Sequence, residues 1–239
     1  MRDILDVHTH TIVSGHAYNT MMEMIHEAQQ RGLEVFGITE HAPQMPGTCH
    51  EFYFHNLKVV QRQFGDMELL LGAELNIMDD KGTVDLPEKE LKKMDLTIAS
   101  LHIPCIRSGS REYNTECIIQ TMKNPLINII GHPDDGRYPV DLEAVVQAAK
   151  DTHTLLEINN NSLNPRSFRQ HTRENDTEIL KLCKKYQVPV IMGSDAHFYT
   201  DILNHCFALE LIEELDFPEE LVVNTAREKL YAYINKYQL

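Results

Sequence analysis

His8 and His10 stand two residues apart at the end of an apolar run, Ile4-Leu5-Asp6-Val7. Residues two apart in a strand project from the same face, so this pair would aim two imidazoles at one point. Two neutral imidazoles on a rigid strand end are half of a metal site. An H-x-H pair alone is weak evidence, because paired surface histidines are common. Its weight comes from recurrence. Further apolar runs end at His41, Glu74, His102 and His132, and another leads into Ser194-Asp195-Ala196-His197; His16 lies in the loop after the first run. Imidazoles and carboxylates without thiolates suit zinc, manganese or iron in a catalytic site, rather than a structural cysteine zinc site. These nine residues are too many for one ion and suit two or three ions bridged by a carboxylate. Singly, each has a plainer explanation: a strand-end surface residue, a helix cap at Asp195, a turn at His132-Pro133. Glu74 is hardest to explain that way, since a lone buried carboxylate is costly.

The elements that must position these residues alternate. Strands are expected at 3–7, 35–38, 68–73, 96–101, 127–131, 154–158 and 188–193. Helices are expected near 20–31, 51–64, 87–93, 114–123, 141–151, 174–186, 201–214 and 225–236. Thr20 is placed to cap the first helix, with an apolar stripe at Met21, Met24, Ile25 and Ala28 and Gly32 as its stop. Such βα units give a parallel sheet covered by helices. An open doubly wound sheet would be expected to carry G-x-G-x-x-G after strand one, and none is there. Six of the seven strands deliver polar residues at their carboxyl ends, and in an α/β barrel those ends converge on one pocket. The expected fold is therefore a TIM-barrel-like α/β barrel with its site at the C-terminal ends of the strands. No repeat or linker suggests a boundary, so residues 1–239 read as a single domain.

Composition narrows the function. The chain is 42% hydrophobic and 24% charged, the profile of a globular protein with a large core. The formal net charge of −14 disfavours a general nucleic-acid binder, and bound cations would offset part of it. No apolar run approaches a membrane span of about 20 residues, and no basic-then-apolar leader opens the chain. The five cysteines are scattered, which fits a reducing compartment; the expected location is the cytoplasm.

The ordered motifs D-V-H-T-H (6–10), I-T-E-H (38–41), G-A-E (72–74), S-L-H (100–102), G-H-P (131–133) and G-S-D-A-H (193–197) resemble the PHP (polymerase and histidinol phosphatase) family, over essentially the whole chain. Residues 16–20 and 157–162 look closest to its YcdX-type bacterial phosphatases. The resemblance implies a distorted (βα)7 barrel with three divalent ions per chain, zinc first, with manganese or iron as alternatives. It implies that His8, His10 and Asp195 hold one ion, that Glu74 bridges to a second completed by His102 and His132, and that His16, His41 and His197 hold a third. Glu74, Asp195 and His197 would form the catalytic group, hydrolysing small phosphate monoesters with a metal-activated hydroxide. Glu40 departs from the Asp usual in T-D-H and is expected to bear on how His41 is oriented.

Alternatives stay open: a PHP-type exonuclease or phosphodiesterase, a histidinol-phosphate phosphatase, a metal-dependent amidohydrolase, or a metal-binding module without catalysis. A homo-oligomer is also open. Arg137, Arg166 and Arg169, with Arg107 and Arg173, lie in loops near the expected mouth, where one or more would grip a phosphate. His50 and His55, beside Phe52, Tyr53 and Phe54, read as packing or pocket wall. His26, His153, His171 and His205 read as surface residues.

Overall fold

Alternating apolar pairs set the sheet, and two strands show how. In the computed structural model, which describes residues 1–234, β1 spans Leu5–Asp6, β2 Val35–His41, β3 Gln63–Phe64 and β4 Met67–Asn76. Further along come β5 Leu96–Ser100, β6 Ile129–Ile130, β7 Leu155–Asn159 and β8 Val190–Gly193. On β4, Leu69, Leu71, Ala73 and Leu75 pack outward against helices, while Leu70 faces the barrel interior. The two-residue period then puts Glu74 and Asn76 on Leu70's face, at the carboxyl end. Val35 on β2 likewise faces inward and Phe36 and Ile38 outward.

The helices are α1 Met21–Gln30, α2 Glu51–Asn56, α3 Glu88–Leu91, α4 Arg111–Met122, α5 Leu142–Thr152, α6 Asn160–Leu163, α7 Thr172–Tyr186, α8 Cys206–Glu214 and α9 Arg227–Ile234. Thr20 caps α1 in a reciprocal capping box with Glu23. Seven strands pair in parallel in the order β1-β2-β4-β5-β6-β7-β8, with β3 antiparallel on β4. The result is a nearly closed, distorted (βα)7 barrel. Its inner core, including Leu5, Val35, Leu70, Leu96, Ile129 and Ile191, is plugged at the bottom by Leu230 and Ile234 of α9.

Closure between β8 and β1 is made differently from the other joints. At the top, one bridge joins Thr9 to Ala196, with His10 N–H donating to the Ala196 carbonyl at 2.9 Å. Below it a side chain takes the place of strand pairing. Asn224 Oδ1 accepts from Met192 N at 2.8 Å, and its Nδ2 donates to the carbonyls of Leu5 (3.1 Å) and Met192 (3.0 Å).

Three expectations need correcting. The helix expected over 51–64 stops at Asn56, passes through a 3-10 turn at Leu57–Val59, and gives way to the β3–β4 hairpin. The hairpin turn is Gly65-Asp66, with Gly65 at φ 61° in the first central position, a geometry that glycine adopts without strain. The helix expected over 201–214 begins only at Cys206, after a 3-10 turn at Tyr199–Asp201. The helix expected over 225–236 starts at Arg227, and its last two positions lie outside the described residues. Among the described residues no helix is long and apolar enough to cross a membrane.

Candidate metal centre

All nine residues singled out from the sequence lie at the mouth of the barrel, eight of them gathered about the ninth, Glu74. The Glu74 carboxylate, buried at the end of β4, receives rings from three directions. His41 Nδ1 lies 2.7 Å from Oε2, and His102 Nε2 and His132 Nε2 lie 3.1 and 3.0 Å from Oε1. His8 Nε2 is 3.4 Å from Oε1 and His10 Nε2 is 3.5 Å from Oε2. The same two ring nitrogens lie 3.7 and 3.5 Å from Asp195 Oδ1. His16 and His197 complete the mouth: the His16 ring sits 4.8 Å from His41 and 4.7 Å from His197, centroid to centroid.

The chain brings the rings in with their proton positions fixed. His102 Nδ1 is 2.7 Å from the Asn76 amide oxygen, and His197 Nδ1 is 3.0 Å from the Asp195 carbonyl. Both oxygens only accept, so both rings carry their proton on Nδ1 and turn Nε2 into the cluster. His10 reaches the same state through Ser14. The Ser14 hydroxyl donates to Glu40 Oε2 at 2.6 Å, and accepts from His41 N–H at 3.0 Å and from His10 Nδ1 at 3.1 Å. Glu40 therefore bears on His10 through Ser14, and on the backbone rather than the ring of His41. His8 Nδ1 lies 2.6 Å from Glu157 Oε1.

Two positions depend on unusual backbone. His132 has φ 33° and Asp195 φ 54°. Ile129 faces inward and Ile130 outward, so strict alternation would send His132 away from the pocket. The left-handed turn re-aims it.

The electrostatics are those of a site built for cations. Burial alone would raise the Glu74 carboxyl, yet His102, His41 and His8 hold it well below its ordinary value. Asp195 is likewise held down against burial, by His8, Arg169, His10 and His197. Burial and the neighbouring His41 and His197 drive His10 well below the usual imidazole value, and bring His16 to about 4. Neutral rings with inward lone pairs are metal donors. Among the described residues, His8 Nε2, His10 Nε2, His41 Nδ1 and Glu74 Oε2 are buried and make no hydrogen bond, although His41 Nδ1 and Glu74 Oε2 stand 2.7 Å apart. Buried polar atoms are almost always paired, so these orphans fit a divalent ion. Three overlapping sets have donor atoms close enough to share one: His8, His10 and Glu74; His41, Glu74 and His102; His10, His41 and His197. His41 thus stands between the second and third sets.

The mouth opens into a cleft of about 560 Å³ lined by His16, His41, His102, Asp195 and His197, with apolar walls at Met45, Pro46, Ile103, Pro104 and Phe168. Arg169 lines it, nearly buried, with Nη2 3.0 Å from Asp195 Oδ2 and Nη1 bonded to Asn159 and Ser162. Arg137 also lines the cleft, held by Asp135 and lying 4.7 Å over the Phe168 ring. Arg166 is exposed and does not line it. Neither His50, whose ring caps α2, nor His55, beside Glu90, lines it.

His26, His153 and His171 are exposed as expected. His205 is not. It is buried, 2.7 Å from Asp3 Oδ2 and 3.6 Å from Asp6 Oδ1. It sits just before α8, where the amphipathic pattern gives no sign that the preceding turn is buried. The sequence does not single out Asn76 or Ser14, and it presents Glu157 only within the 157–162 resemblance, with no role. For Glu157 a signal existed, the one that marked Glu74: a carboxylate in an apolar strand, Leu155-Leu156-Glu157-Ile158.

The chain is 46% identical over 234 residues to a "Probable phosphatase" of Clostridium novyi, covering 98% of this chain and 95% of that one. It is 48% identical over 230 residues to a "Probable phosphatase" of Caldicellulosiruptor saccharolyticus, covering 96% and 95%. The crystal structure of histidinol phosphate phosphatase from Lactococcus lactis, complexed with zinc, L-histidinol and phosphate, has the same fold. Its TM-score is 0.62 at 20% identity, covering 90% of this chain and 95% of that one. Residues 6–164 match the PHP domain, a span that runs from β1 past β7 and holds seven of the nine converging residues; the chain belongs to the PHP domain family.

Proposed function

We propose that this chain is a metal-dependent phosphatase that hydrolyses small phosphate monoesters in the cytoplasm, using three divalent ions, zinc first among them. The observation that carries the reading is the convergent donor set: His8 Nε2 and His10 Nε2, buried without a hydrogen bond among the described residues and both within 3.7 Å of the Glu74 and Asp195 carboxylates. The family membership and the relatives' names support the reaction class.

The proposed holders are His8, His10 and Asp195 for one ion, Glu74, His102 and His132 for a second, and His16, His41 and His197 for a third. Bound divalent ions supply Lewis-acid stabilisation of phosphoryl charge and a water of lowered pKa. The chain's own residues do the rest. Glu74 and Asp195 stay ionised against burial and so keep the pocket attractive to cations. Arg169, tied to Asp195, presents a fixed positive charge beside the pocket for the phosphoryl oxygens. Arg137 adds charge at the rim. Met45, Pro46, Ile103, Pro104 and Phe168 exclude water from the ester and receive its organic part.

The test is metal analysis of protein purified without chelator, paired with a panel of phosphate esters. Two to three ions per chain and phosphate release are expected. Glu74→Ala should lose metal and lower kcat/KM by at least the 10–100-fold that follows loss of an outer partner of a ligand. Fewer than one ion per chain would overturn the reading.

A further inference from the structure

Glu157 touches the candidate centre without belonging to it. Its carboxylate is buried and has three partners on three separate strand ends. Oε1 lies 2.6 Å from His8 Nδ1. Oε2 accepts from the backbone N–H of His132 at 2.8 Å and from Asn159 Nδ2 at 3.0 Å. The packing around it is tight: a Cβ added at Gly193 would fall 2.0 Å from Oε1. The side chain thus has one position, fixed by β7 beneath it and β8 beside it.

We propose that Glu157 is a positioning residue that sets two candidate ligands at once, fixing which nitrogen of His8 faces the cluster and holding the backbone of His132 in its left-handed turn. The first half follows from donor arithmetic. A carboxylate oxygen accepts, so His8 carries a proton on Nδ1, and the neutral ring then turns its Nε2 lone pair to Glu74 and Asp195. The second half follows from the backbone. His132 is a non-glycine residue at φ 33°, a conformation that persists only where its surroundings hold it. Its N–H to Oε2 is that hold. His8 and His132 both turn Nε2 to Glu74 Oε1 and belong to different proposed ions, so one carboxylate aligns both. The inference rests on the metal reading for its consequence and on hydrogen-bond geometry for its cause.

Glu157→Gln tests it, because the change keeps the shape and replaces one acceptor with a donor. His132 N–H and Asn159 Nδ2 both need an oxygen, so the amide oxygen turns to them and the amide NH2 faces His8 Nδ1. His8 must then accept there and move its proton to Nε2, the atom that would bind the ion. In metal-free protein labelled with ¹⁵N on histidine, read at alkaline pH where the ring has lost its second proton, His8 should be the Nδ1–H tautomer in the wild type and the Nε2–H tautomer in the variant. The His8→Gln variant assigns the signal. Zinc affinity, measured in competition with a chromophoric chelator, should fall about 10–100-fold.

A variant that folds as the wild type does, with unchanged tautomer and zinc affinity, overturns the proposal. Should Glu157→Gln not fold, an Nε2–H tautomer of His8 in the wild type overturns it equally. The tautomer is read without metal, so failure of the phosphatase reading leaves that arm standing and distinguishable.

Discussion

At the scale of single residues, the centre depends on what stands behind each ring as much as on the rings. His8, His10, His102 and His197 all meet an oxygen at Nδ1, from Glu157, Ser14, Asn76 and the Asp195 carbonyl. The rings were legible in the sequence because histidine at the end of an apolar strand is conspicuous. Their partners were not, because serine, asparagine and a backbone carbonyl occur everywhere and gain meaning only from position. Arg169 was legible as a candidate but not distinguishable from Arg166, since the loop that bears them has no periodicity to place it. In the structure Arg169 spans Asn159, Ser162 and Asp195, a reach that its planar fork permits and a lysine ammonium cannot copy. Arg169→Lys should raise KM for a phosphate ester about 10–100-fold, the equivalent of one charge-assisted hydrogen bond. Steady-state kinetics with KM and kcat both unchanged would show that Arg169 does not meet substrate.

At the scale of elements, the strands were read well and the connections less so. Strand existence follows from apolar runs of the right length, and the polar residue that ends each run marked the correct end of the barrel. The overextended helix at 51–64 arose because Phe54 and Leu57 do face the core at helical spacing, while the Gly65-Asp66 turn belongs to a hairpin only two residues deep on each side. His205 shows the same limit. It ties the turn before α8 to β1, and burial, which opposes its charge, is outweighed by Asp3 and Asp6, so it is raised to about 10. A raised folded value means the stabilisation is whole below the unfolded value near 6.5 and is lost as pH rises towards 10. His205→Gln should therefore destabilise by about 3–5 kcal/mol near pH 6, the cost of breaking a buried pair. In urea titrations its deficit against the wild type should shrink between pH 7 and pH 10; a deficit independent of pH would refute the charged pair.

At the scale of the whole molecule, barrel closure and the candidate metal centre share a seam. Asn224 joins Leu5 to Met192 below the bridge between Thr9 and Ala196, and His10 and Asp195 sit directly above. Asn224→Ala would leave several buried backbone groups unpaired and should cost about 2–4 kcal/mol in urea unfolding. A loss under about 0.5 kcal/mol, the range of an idle surface change, would mean the seam holds without it. Nothing in the sequence announced Asn224, because a side chain that completes a sheet has no periodic signature. Ions at the centre would add stability by mass action. Stripping the protein with chelator should lower Tm by about 5–10 °C, the effect of removing an ion held at 100 times its Kd from a chain of this size. An unchanged Tm would count against tightly held ions.

The seam also orders events in time. His8 and His10 leave the ribosome first, whereas Asp195, His197 and the closing Asn224 follow some 190–220 residues later. At about 5–20 residues per second, the nascent chain exposes an unfinished pair of histidines for roughly 10–45 s. The barrel cannot be closed by its last joint until Asn224 has been made. A full complement of the proposed ions therefore has no closed mouth to enter before Asn224 has emerged, and a chain cut short before it would carry its first candidate ligands with nowhere to place them.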